Sequence, residues 1–125
     1  MTMQAKEAID KILHDLNNIR GIEASAALSR DGLLVSSTMT RNADILVAMS
    51  ATMFGAAEVA SRELDKGSLN RVIVETKNGL LIASGAGRKA LLVVLARDNS
   101  TLGHILLEMS KATEKMIDAL ENKGV

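Results

Sequence analysis

Thirteen consecutive residues, Ile45 to Ala57, carry no charge inside a segment whose spacing predicts a helix from about Asn42 to Leu64. Asp44 and Glu58 bound this gap. A helix on the surface of a monomer keeps a polar face toward water. One without charge for about four turns has to be covered on more than one side. Its own domain can cover one side. The other needs a second molecule, most simply another copy of the chain. The feature points to an interaction module and away from a catalyst.

The totals narrow the classes further. A chain of 125 residues makes one domain by size, spanning 1–125. Apolar residues at 47% and charged ones at 24% support a core of modest size. Lys plus Arg and Asp plus Glu both total 15, so no net field favours nucleic acid or an anionic membrane. Phe54 is the only aromatic residue, which removes stacking platforms for bases or sugars. The absence of cysteine excludes disulfides, thiolate chemistry and Cys-ligated metal. No stretch reaches the roughly eighteen uninterrupted apolar residues that cross a bilayer. The N-terminal MTMQAKEAIDKIL carries acids and no cleavable apolar block. The expectation is a soluble, cytoplasmic protein with no cofactor, no metal, no nucleic acid and no membrane insertion.

Periodicity supplies the elements. Ala5, Ala8, Ile9, Ile12, Leu13 and Leu16 form one stripe of a helix over about Thr2 to Asn18, stopped at Gly21. Ile22 to Ser29 alternates, with Ile22, Ala24, Ala26 and Leu28 on one face. Asp31-Gly32 signals a hairpin into a strand over 33–38, and Asn42 is a plausible N-cap for the long helix. Strands over 70–76, 80–84 and 89–97 follow, joined by Asn78-Gly79 and Gly85-Ala86-Gly87. Asp98-Asn99-Ser100-Thr101 offers caps for a last helix to about Asn122, beyond which the chain should fray. The order is α-β-β-α-β-β-β-α. The run Ala90 to Ala96 is apolar throughout, so it belongs in the middle of the sheet with helices on both faces. The charged 70–76 segment reads as an edge strand, and the first hairpin lies on the far side of 89–97.

An edge strand can pair with its own copy. About a two-fold axis at Ile73, Arg71 would face Glu75 of the second molecule, with the reverse contact repeated. Each such pair contributes roughly 0.2–1 kcal/mol, so burial of the neighbouring helix has to contribute more. On the helical wheel, Ile45, Leu46, Met49, Met53, Ala60 and Leu64 are assigned to the sheet. Val47 and Phe54, flanked by Ser50, Ala57 and Ser61, are assigned to the twin helix. The competing reading has Phe54 filling the monomer core.

Catalytic constellations are sparse. His14 and His104 have no metal-ligand spacing and no carboxylate cluster beside them, so both read as surface residues. Gly85-Ala86-Gly87-Arg88-Lys89 lacks the third glycine of a phosphate loop and opens a strand, so it reads as a turn. Glu114 and Asp118 fall on a solvated helix face. No GxSxG elbow occurs. The methionines read as helical core filler. None of the arginines, Arg30 among them, stands in a motif.

Three passages then carry a resemblance: IEASAALSRDGLLVSS, LVAMSATMFGAAEVASREL and NRVIVETKNGLLIASGAGRKALLVVLARDNSTLGHI. With the element order they resemble the Roadblock/dynein light chain family, above all its stand-alone prokaryotic members. The resemblance covers nearly the whole chain. It implies an α+β, profilin- or longin-like fold, with a five-stranded antiparallel sheet, one helix on one face and two on the other. It also implies a non-enzymatic homodimer joined through the middle helix and third strand. Many members dock a small Ras-like GTPase on the paired middle helices; others are adaptors or scaffolds. Carried onto this chain, the partner-facing positions are Ala51, Gly55, Glu58 and Arg62. The alternatives are a structural adaptor without effect on nucleotide turnover and, behind it, a PAS- or GAF-like ligand sensor.

Overall fold

A strand that is apolar at every position needs cover on both faces, and Ala90–Ala96 (β5) has it. The structure, a computed structural model, describes residues 1–122. Preceding β5 are α1 (Met3–Leu16), β1 (Ile22–Ser29), β2 (Leu34–Ser37), α2 (Ala43–Glu63), β3 (Arg71–Thr76) and β4 (Gly79–Ala86). After it comes α3 (Leu102–Ile117), ending in one π-helical turn at Asp118–Asn122. The strands form one antiparallel sheet in the order β2-β1-β5-β4-β3. Element order, central strand and edge strand are those read from the sequence. The fraying expected of the last residues lies outside the described ones.

Alternation along β5 separates two apolar layers. Ala90, Leu92, Val94 and Ala96 pack with α1 and α3, against Ile9, Leu13, Ile105, Met109 and Met116. Leu91 and Val93 point the other way, toward Val47 and Phe54 of α2. Helix α1 begins as its sequence predicts: the Thr2 side chain accepts from the Ala5 N–H at 3.0 Å, and its buried stripe includes Ala5, Ile9, Ile12, Leu13 and Leu16. Asp10 ties α1 to the edge of the sheet. Its carboxylate accepts from Lys6 Nζ and from the Ser36 hydroxyl of β2. Those two bonds, Lys6 first, hold its pKa below the ordinary aspartate value. The tie is therefore complete above the ordinary carboxylate range and weakens as pH falls through the lowered value.

Several local expectations shift. Ile22 does not share a face with Ala24, Ala26 and Leu28. A register break between Ile22 and Ala24 turns it into the α1–α3 layer. The β3–β4 turn is Lys77-Asn78, one residue earlier than Asn78-Gly79 suggests, because Gly79 pairs with Thr76 and opens β4. Its φ of +151° is one reason for glycine there. The other is space, since a Cβ would lie 2.5 Å from the Ala96 carbonyl oxygen. Strand β4 runs on through Gly85 and Ala86 rather than ending at 84. Asn42 does occupy the N-cap position of α2, but with φ +62° and without a side-chain cap bond.

Two stability outcomes are expected from urea unfolding. Phe54→Ala should lose about 3–5 kcal/mol, because it empties the centre of the α2 layer. Gly79→Ala should lose about 1–3 kcal/mol through backbone strain and the approach to Ala96.

Candidate interaction surface

Helix α2 is apolar around nearly its whole circumference, so hydrophobicity alone does not seat it. The structure seats it by shape. Val47, Ser50 and Phe54 are at most 1% exposed, whereas Ile45 and Met49 are 65% and 61% exposed. This reverses the assignment made from the helical wheel. Val47, Ser50 and Phe54 fill the chain's own core and are not free to meet a second helix. Ala57 and Ser61 are half-buried. Of the residues assigned to the sheet, Ile45, Met49, Ala60 and Leu64 face solvent, and Leu46 and Met53 are half-buried. The physical reason lies at Gly85 of β4, where a Cβ would come 3.5 Å from the Phe54 ring and 3.1 Å from Arg30. A ring packs closely where the opposing strand has no side chain. Ser50 lets the helix backbone approach, although its hydroxyl is buried without a partner among the described residues.

The outward face of α2 is consequently an uncharged, largely apolar stripe of Ile45, Ala48, Met49, Thr52, Ala56, Val59 and Ala60, all exposed. Its two flanks differ. One abuts the β1–β2 turn, where a Cβ on Gly32 would lie 3.4 Å from Ala48 Cα and 3.5 Å from Ala51 Cβ. Ala51, Gly55, Glu58 and Arg62 run along this flank. Ala51, Gly55 and Glu58 are half-buried and Arg62 is exposed. The other flank, with Leu46, Met53 and Ala57, lies toward β3, which α2 also touches.

On the first flank stands a cluster that sequence reasoning did not find. Arg30 Nη1 reaches Glu58 Oε2 at 3.2 Å, and Nη2 donates to the Gly87 carbonyl at 2.6 Å. The guanidinium lies 5.1 Å from the Phe54 ring centroid. Its Nε is buried without a partner among the described residues. The three contacts join residues 28, 57 and 24 positions from Arg30, so no local pattern announces them. The one available signal was a basic residue beside the Asp31-Gly32 turn.

Strand β3 is an open edge within the chain. The register places Arg71, Ile73 and Glu75 opposite Ser84, Ile82 and Leu80, so these three share the α1–α3 face. Ile73 is 42% exposed, and Arg71 Nε is buried without a partner among the described residues. The side chains named for a cross-axis pair are thus brought together on one free edge.

His14 and His104 are exposed on separate helices. Among the described residues no group of three or more His, Asp or Glu is placed to hold a metal ion. The 85–89 segment is strand and turn, with Gly87 at φ +72°. By length and composition α2 could cross a bilayer, with a mean hydropathy of 1.4 over eighteen residues, of which 17% are buried, although Asp44 and Glu58 leave no eighteen uninterrupted apolar residues. Its inner face is nevertheless seated on the sheet, and Glu58 is ion-paired.

Comparison with known proteins fits this architecture. The Roadblock/LC7 domain family matches residues 8–96. Two uncharacterized proteins of Methanocaldococcus jannaschii, MJ1340 and MJ0310, are each 34% identical over 110 residues, 86% of this chain and 96% of theirs. A Roadblock/LC7 domain from Streptomyces avermitilis superposes with a TM-score of 0.83 at 25% identity, covering 89% of this chain and 96% of that one. The gliding protein MglB of Thermus thermophilus shares the fold, with a TM-score of 0.88 at 18% identity over 98% of this chain and 95% of its own. A profilin of Acanthamoeba castellanii shares it more loosely, with a TM-score of 0.60 at 16% identity over 90% and 95%. With the profile covering well over half of its length, the chain belongs to the Roadblock/LC7 domain family.

Proposed function

We propose that the chain is a non-catalytic homodimer whose paired α2 helices form a platform for a small Ras-like GTPase, which it regulates or scaffolds. The observation that carries this reading is the exposed outer face of α2, which is free of charge from Ile45 to Ala60. Apolar stripes of this kind mark interaction sites. In the proposed dimer the β3 edges pair through Arg71, Ile73 and Glu75, and the β3-side flank of α2, with Met49, Met53 and Ala57, packs on its twin. An edge strand alone is too small for a stable interface, which needs about 800 Å² per partner; the helix supplies the remainder. The opposite flank, Ala51, Gly55, Glu58 and Arg62, stays open for the GTPase. The GTPase itself is inferred from the Roadblock resemblance. An adaptor that binds some other protein would use the same flank.

Two measurements separate these parts. Light scattering should give twice the chain mass for the wild type, half of that for Met49→Asp with helical circular dichroism kept, and unfolded material for Phe54→Asp. A wild type that stays single at working concentration overturns the dimer. Small GTPases of the source cell, loaded with a GTP analogue or GDP, should be captured in a nucleotide-dependent way. Gly55→Arg should weaken that capture by about tenfold or more, with the dimer intact, since a Cβ at Gly55 meets nothing within 4 Å. Failure with every GTPase tested leaves the adaptor reading.

A further inference from the structure

The peptide group between Gly87 and Arg88 is held from both sides of the sheet. From the α2 side, Arg30 Nη2 donates to the Gly87 carbonyl at 2.6 Å while Nη1 holds Glu58 at 3.2 Å. From the α3 side, the Arg88 N–H donates to Glu121 Oε2 at 3.2 Å, in the π-helical turn that ends the helix. The carbonyl and the N–H belong to one planar unit, which cannot rotate at one end without moving the other. Each bond also polarises the next, so the chain of donors and acceptors is cooperative. A carboxylate on α2 is thereby joined through a guanidinium and a single peptide plane to a carboxylate on the opposite face.

The site leaves this joint little freedom. Phe54 and Gly85 flank the guanidinium. Gly87 has φ +72°, and a Cβ there would collide with the Glu121 carboxylate and meet Ile117 at 3.1 Å. The Glu58 side chain, by contrast, is 36% exposed, so a cation arriving from outside can compete with Arg30 for it.

We propose that Arg30 is a positioning residue that couples the Glu58 flank of α2 to the C-terminal turn Asp118–Asn122 through the 87–88 peptide. A partner that draws Glu58 away loosens the Arg30 bond to Gly87, weakens the Arg88–Glu121 bond, and so alters the Asp118–Asn122 turn on the far face. The coupling itself is a property of the isolated chain. Its regulatory meaning rests on the docking flank proposed above.

Amide hydrogen exchange of Arg88, followed by NMR on the chain without any partner, tests the coupling. Glu121→Gln should speed that exchange and calibrates the probe. Glu58→Gln, a change at a partly exposed position, should speed it by about fivefold although Glu58 does not touch Arg88. The Glu58→Gln effect should vanish in an Arg30→Met background. Core amides of β5 should keep their protection throughout, which a general loss of stability would not allow. If Arg88 responds to Glu121→Gln but not to Glu58→Gln, or if β5 amides accelerate in step with it, the relay is overturned. No GTPase takes part, so this result is independent of the partner assignment.

Discussion

Everything on the α2 side of the sheet depends on the seating of one ring. Phe54 fills the space left by Gly85, carries the Arg30 guanidinium 5.1 Å from its centroid, and packs with Val47 in one cluster with Ala26 and Leu28 of β1 and Leu91 and Val93 of β5. That seating fixes the rotation of the helix. Once Phe54 points inward, Ile45, Met49, Ala56 and Val59 must point outward. A helix apolar on both sides is thus given one inner and one outer face by a single shape match. The second face remains as surface that water wets poorly.

This is also where sequence reading reached its limit. Alternation, turn chemistry and the unbroken apolar run at 90–96 were sufficient for the strand order, because each constrains pairing directly. The stripe at helical spacing placed α1 correctly, since its other faces carry charge. For α2 that contrast is missing, and side-chain bulk was a misleading guide. The larger aliphatic residues and two of the methionines sit outward or on a flank, while a serine is fully buried. The useful cue was geometric: a lone aromatic seven residues from Val47, and a glycine on a strand it could oppose. That cue becomes visible only when β4 is known to run through Gly85.

The polar cluster at Arg30 was illegible for a different reason. Its members come from the β1–β2 turn, α2 and the β4–β5 turn, and tertiary structure alone makes them neighbours. The same holds for the Ile22 register break, which reverses a residue's face without leaving a mark in composition. The edge residues Arg71, Ile73 and Glu75 were more accessible. A charged, alternating strand at one end of a meander has few other places to go.

With neither Tyr nor Trp in the chain, the buried ring at position 54 is the only aromatic chromophore. Near-ultraviolet circular dichroism, or the fluorine resonance of a labelled ring, would therefore report from one layer of the molecule alone. The helical pair on the other face would be spectroscopically silent, and events at the α2 layer could be followed without site-directed labelling.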